Sequence, residues 1–169
     1  HHNQVVMRRT IQIMAMTLAL VCSFACKKQD PEIVTVTKEV PVEPITAYSY
    51  DGTSYTVHTV TCTQDDDFLE ILVAREPEAP FSSYVFIGIP NENIGRKMDF
   101  SDKSLVKRLD YFLAFEDPSH YYSADYAPKS GTLLIEKSSN GTEFKLTLDA
   151  KLYDGKPLKV TVSGVKVSK

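Results

Sequence analysis

Tryptophan is absent from this chain, and cysteine, histidine and glycine are scarce, at 3, 4 and 7 residues in 169. Each shortage closes off a class of chemistry. His1 and His2 stand at the N-terminal end, which leaves His58 and His120, far apart and without a nearby cysteine pair, as a poor set of zinc ligands. The glycines form no P-loop, no dinucleotide-binding turn and no G-x-S-x-G elbow. Positive charge is not in excess either: 19 Lys and Arg face 22 Asp and Glu, for a net charge of −3. A mildly acidic chain has no electrostatic reason to seek nucleic acid or an anionic lipid surface. The apolar stretch from Ile11 to Val21 falls short of the roughly 20 residues that span a bilayer. No catalytic, cofactor-binding or metal-binding residue is assigned.

What is present is ordinary in bulk and informative in pattern. The length fits one domain, and the hydrophobic share of 43% and charged share of 24% are those of a globular protein. The 9 Tyr and 8 Phe, with abundant Val and Thr, lean toward strands. The three cysteines are Cys22, Cys26 and Cys62. If the first leaves with a signal and the second carries lipid, Cys62 has no disulfide partner. The fold must then stand on its core, with Cys62 as a small buried hydrophobe.

The first part of the chain reads as an export signal. Met7 is the expected start, Arg8-Arg9 a positive n-region and Ile11 to Val21 an uncharged h-region. Ser23-Phe24-Ala25-Cys26 closes it, and Lys27-Lys28-Gln29-Asp30 turns the chain polar. This segment resembles the lipobox of bacterial lipoproteins in the loose form found in Bacteroidota, with a small residue at Ala25 before the cysteine. The resemblance implies cleavage by signal peptidase II before Cys26, diacylglycerol on the Cys26 sulfur, and an acyl chain on the new amine. Thiolate chemistry explains why the position must be cysteine, and two or more buried chains anchor durably where one is reversible. Such a protein sits at the cell envelope, in the outer membrane, facing the periplasm or the surface. Loss of Arg8 and Arg9 makes the mature chain more acidic still. The alternative is cleavage by the ordinary signal peptidase after Ser-x-Ala, which releases a soluble secreted domain.

Residues 1–25 are therefore expected to be signal and upstream sequence, 26–44 the lipid site and tether, and 45–169 one β domain. Pro31, Pro41 and Pro44 interrupt the tether, favouring extended conformations with a reach of roughly 50–60 Å. The alternation around Val34 and Val36 leaves open an edge strand between Ile33 and Val42. The run from Lys28 to Glu32 loosely resembles the acidic signals that send some Bacteroidota lipoproteins to the cell surface.

Past Ile45, strand patterns and turns alternate at short intervals. Candidate strands are Thr46 to Tyr50, Ser54 to Cys62, Phe68 to Arg75, Ser83 to Ile89, Leu109 to Phe115, Gly131 to Lys137, Glu143 to Tyr153 and Leu158 to Val167. Asp51-Gly52 marks a hairpin. Ser101 to Arg108 is the one candidate helix, preceded by a loop from Asn91 to Lys97. About eight short strands and at most one short helix predict an all-β antiparallel sandwich, with a lipocalin-like barrel as the alternative. The stretch from Ser130 to Val167, with Ser130-Gly131-Thr132 and Ser163-Gly164, resembles the C-terminal part of small Bacteroidota envelope lipoproteins of unknown function.

Asp65-Asp66-Asp67 lacks the spacing of a calcium loop and reads as an acidic hairpin turn. His58 reads as a half-exposed strand residue. The segment from Asp117 to Tyr126 reads as a long loop, and His120, Tyr121, Tyr122 and Tyr126 are the candidate binding residues, since aromatic loops stack on sugars or protein partners. The alternative is that these rings fold back over one end of the domain. The functional expectation is a non-catalytic, lipid-anchored binding or adhesion module for a protein or glycan partner. A barrel carrying a small apolar ligand is the second reading and an envelope hydrolase the third.

Overall fold

The computed structural model describes residues 44–122 and 128–168. The expected signal, Cys26, the expected tether up to residue 43 and Tyr126 lie outside the described residues, and so does the alternative edge strand. Pro44–Lys169 forms one compact unit.

Among the described residues eleven strands run β1 (Thr46–Tyr50), β2 (Thr53–Tyr55), β3 (Thr59–Gln64), β4 (Phe68–Ala74), β5 (Tyr84–Pro90), β6 (Met98–Asp99), β7 (Phe112–Asp117), β8 (His120–Tyr122), β9 (Ser130–Lys137), β10 (Glu143–Lys151) and β11 (Pro157–Lys166). A 3-10 turn covers Asn91–Asn93 and a single helical turn, α1, covers Ser104–Lys107. A six-stranded sheet has the order β2-β1-β11-β10-β9-β6, and a five-stranded sheet the order β3-β4-β5-β7-β8. All strand pairings are antiparallel. The two sheets do not close on each other, so the fold is the sandwich and the lipocalin-like barrel is set aside.

Strict alternation builds the core. Leu69, Ile71 and Val73 of β4, Val85, Ile87 and Ile89 of β5, and Leu113 and Phe115 of β7 are fully buried against Leu146, Leu148, Leu158 and Val160 of the other sheet. Each such side chain contributes roughly 1.5–3 kcal/mol on leaving water. Tyrosine hydroxyls inside the sandwich need partners, and Tyr48 of β1 finds one across the layers in the Ser83 hydroxyl at 3.1 Å.

The eight predicted strands are all present, and the differences are local. The run from Ser54 to Cys62 splits, because the chain leaves the six-stranded sheet after Tyr55 and joins the five-stranded sheet at Thr59. The alternating pattern is blind to that change of layer, since both pieces keep one apolar face. His58 lies in this crossing rather than on a strand, exposed, with Nδ1 against the Arg75 carbonyl oxygen. Asp51 and Gly52 take φ values of 51° and 79°, the left-handed pair that a two-residue hairpin needs. β6 and β8 were not predicted as strands, being too short to show a period.

Candidate functional site

The described part of the predicted long loop, Asp117 to Tyr122, is a tight hairpin. Asp117 Oδ1 accepts bonds from the Ser119 N–H at 3.1 Å and hydroxyl at 2.8 Å, which pins the turn and lets Asp117, Glu116 and Phe115 pair with His120, Tyr121 and Tyr122. Alternation then sends neighbouring side chains to opposite sides of the sheet. His120 folds inward, its ring 5.5 Å from both Tyr50 and Phe115. Its Nδ1 stands 3.3 Å from Asp154 Oδ2, which also accepts the Tyr50 hydroxyl at 3.2 Å. Tyr121 turns outward and is 71% exposed. Of the four candidates, the two whose side chains are described, His120 and Tyr121, therefore face opposite sides of the sheet. His120 covers the end of the core, Tyr121 faces solvent, Tyr122 is placed by its backbone pairing alone, and Tyr126 lies outside the described residues.

The inward groups form a polar clasp between the layers. Tyr55 of β2 donates to Asp117 Oδ2 at 2.9 Å, and the Arg75 guanidinium lies 4.2 Å above the Tyr55 ring. Burial alone would push the Asp117 carboxyl up, but the Ser119 and Tyr55 bonds and the nearby Arg75 outweigh it and hold it below the usual carboxylate range. The Tyr50 hydroxyl is driven the other way by burial and by Asp154. The clasp spends its acids and hydroxyls on joining β1, β2, β7, β8 and the β10–β11 hairpin.

The outer face of the five-stranded sheet is different, and the sequence reading passed it over. The register lays its outward residues in rows across the strands. Thr63, Glu70, Gly88 and Phe112 form one row, and Thr61, Leu72, Phe86 and Ala114 the next. Thr59, Ala74, Tyr84, Glu116 and Tyr121 form the third, in which Ala74 is fully covered. Phe68, at the start of β4, pairs with Pro90 beyond the first row. This is an aromatic and aliphatic layer on the side of the sheet away from the core, with Phe68, Leu72, Phe86, Phe112 and Ala114 half-buried. Phe112 lies 5.4 Å from Phe86 and 6.5 Å from Phe68 by ring centroids. Its ring covers the bare backbone of Gly88, where an added Cβ would come within 2.1 Å of two ring carbons. The sequence signal was available: Phe68, Leu72, Phe86 and Phe112 sit on the opposite parity from the core residues, so these strands are apolar on both faces.

The six-stranded sheet shows the ordinary outward pattern for comparison. β10 sends Lys145, Thr147, Asp149 and Lys151 outward, and β11 sends Lys159 and Thr161.

At one end the apolar face runs into an open depression of about 500 Å³ lined by Phe68, Pro90, Leu109, Asp66, Asp67, Glu92 and Arg108, among others. Leu109 is 68% exposed and has φ of 55°, a conformation that bulky residues rarely adopt. It stands just past α1, where its N–H donates to the Val106 carbonyl at 3.1 Å and the Asp110 N–H to the Leu105 carbonyl at 2.9 Å. This is a Schellman closure, with leucine where glycine is usual. Arg108 grips the buried Asp110 carboxylate at 3.0 Å and 2.7 Å through Nε and Nη2. The acidic turn beside it is structural, with Asp65 Oδ1 accepting from the N–H groups of Asp67 and Phe68 at 2.8 Å and 2.7 Å.

Cys62 is fully buried, and burial pushes its thiol up to about 11. Among the described residues no group of three or more His, Cys, Asp or Glu is placed to hold a metal, and no helix is long and apolar enough to cross a membrane. Comparison of the chain with protein-family models, curated proteins and solved structures returns no match.

Proposed function

We propose that this protein is a lipid-anchored, non-catalytic binding module of the bacterial cell envelope, tethered through Cys26, and that it holds a protein partner on the outer face of its five-stranded sheet. The observation that carries the reading is the apolar surface of Phe68, Leu72, Phe86 and Phe112 on the side away from the core. Contiguous outward apolar surface of this kind is characteristic of interaction sites. Leu109, kept exposed at a position where glycine would be less strained, adds to the same surface, since strain of this sort is retained at binding sites. A glycan fits this surface less well than a protein. Phe86 and Phe112 are tilted by 55° to each other and give no continuous flat platform on which sugar rings could stack.

The face is tested by placing a photo-crosslinking amino acid at Phe86, and separately at Thr147 on the opposite sheet, in bacterial cells. A defined adduct from position 86 and none from position 147 supports the reading. Equal labelling from both, or none from either, removes it. The anchor is tested by intact mass and detergent partitioning beside Cys26→Ala. Acyl mass and detergent entry lost in the variant support lipidation, whereas an unmodified Cys26 in the aqueous phase shifts the protein to a free secreted form.

A further inference from the structure

We propose that the protein segment held on this face presents lysine or arginine among its aliphatic side chains. The inference rests on the binding reading above and adds the chemistry of the partner. None of the strands β3, β4, β5, β7 and β8 carries a lysine or arginine. The charged groups in the outward rows are Glu70 and Glu116, and Asp66, Asp67 and Glu92 line the depression into which the face runs. Arg108 lines the same depression but is already committed, 2.7 Å from Asp110 and 3.9 Å from Asp102. The lysines of the domain's strands fall on the other layer: Lys137 on β9, Lys145 and Lys151 on β10, Lys159 and Lys166 on β11. The asymmetry is therefore one of placement within the fold and not a consequence of average composition.

An apolar surface set with carboxylates matches cations that approach along its rows, and such complementarity selects partners and speeds encounter. Other occupants fit this face less well. Two copies meeting face to face by a two-fold axis would bring like acidic surfaces together. Two copies meeting head to tail would set the apolar face against the outer surface of the six-stranded sheet, which offers little apolar area, chiefly Leu134 and Ala47, between Thr147, Thr161 and the lysines. An anionic lipid surface would be repelled.

The test uses the full chain in nanodiscs of neutral phosphatidylcholine, with empty nanodiscs subtracted. Two short labelled synthetic peptides serve as probes, identical in their leucine and valine positions and carrying lysine in one and glutamate in the other. Fluorescence anisotropy at low salt should show the lysine peptide binding about tenfold more tightly or better, with the gap narrowing as salt rises. Glu70→Lys with Glu116→Lys should bring the two affinities close together, and Glu70→Gln with Glu116→Gln, which reverses no charge, should narrow the gap part of the way. Asp149→Lys, a charge change on the opposite layer, should leave the gap intact. If both peptides bind alike and Phe86→Ser abolishes both, the face binds but its charge does not select, and this inference falls while the binding reading stands. If neither peptide binds, or Phe86→Ser changes nothing, both fall. If sedimentation shows a dimer that Phe86→Ser dissolves, the occupant is a second copy and the basic partner is overturned.

Discussion

The contact between Phe112 and Gly88 offers a quantitative test of the outer face. A Cβ on residue 88 would stand 2.1 Å from Cε1 and Cζ of Phe112 and 2.8 Å from Cε2, where ordinary carbon contacts need about 3.5–4 Å. Gly88→Ala must therefore swing the ring away from the strand. Forcing an extra carbon into packed surroundings costs roughly 1–3 kcal/mol, and losing the Phe86–Phe112 pairing adds to that, with aromatic pairs worth about 0.5–1.5 kcal/mol. Against this, replacing glycine by alanine in extended backbone returns about 0.4–1 kcal/mol through the unfolded chain. The expected net effect is a loss of about 1–3 kcal/mol, within the usual range for overpacking. In a Phe112→Ala background the clash is gone, and Gly88→Ala should be neutral or stabilising by up to about 1 kcal/mol. The cycle should thus give an interaction energy of about 2 kcal/mol between the two positions. Urea unfolding followed by tyrosine fluorescence, which no tryptophan obscures, would measure all four proteins. If Gly88→Ala has the same effect in both backgrounds, the ring does not rest on Gly88 and the described surface is wrong.

Three further outcomes follow from single residues. Leu109→Gly should stabilise the domain by roughly 0.5–1 kcal/mol, because left-handed backbone costs a bulky residue about 1–2 kcal/mol while glycine gives back part of that as chain entropy. The same change should weaken crosslinking from position 86, and a destabilised variant would contradict the strain. Asp117 has a carboxyl held below its ordinary value in the fold, so its contribution is present above the unfolded value of about 3.9 and is lost as pH falls through the lower folded value. Asp117→Asn should flatten the acid limb of a stability–pH curve, and an unchanged limb would remove the clasp as its source. Cys62, with its thiol pushed up to about 11 by burial, should resist a thiol reagent near pH 8 until the protein unfolds. In a Cys22→Ser, Cys26→Ser chain, labelling at the rate of an exposed thiol would place Cys62 outside the core.

Much of the architecture is a consequence of local chemistry that can be read along the chain. Alternation in β4, β10 and β11 sets which side chains face inward, and Asp51-Gly52 supplies a backbone that a two-residue hairpin favours. Asp65 closes its turn with its own carboxylate. Periods and turns are short-range properties, so the sequence alone determined the strand class, the strand count to within the shortest elements, and the buried character of Cys62. It also bears a signal-like segment and the Cys26 pattern, whose meaning is chemical and independent of the fold.

What depends on contacts between distant residues had to come from the tertiary structure. Nothing in Ser54 to Cys62 announces that the chain changes layers in the middle of one apolar pattern. Nothing in the Asp117 to Tyr122 segment announces that His120 turns toward Asp154, 34 positions away, while Tyr121 turns outward. The outer face itself needed the register of five strands, since Leu72, Phe86 and Ala114 become one row only when β4, β5 and β7 align. Whether a Phe belongs to the core or to a surface is decided by which layer closes over it. That is a property of the assembled sheets, where parity along one strand fixes only that neighbouring side chains take opposite sides.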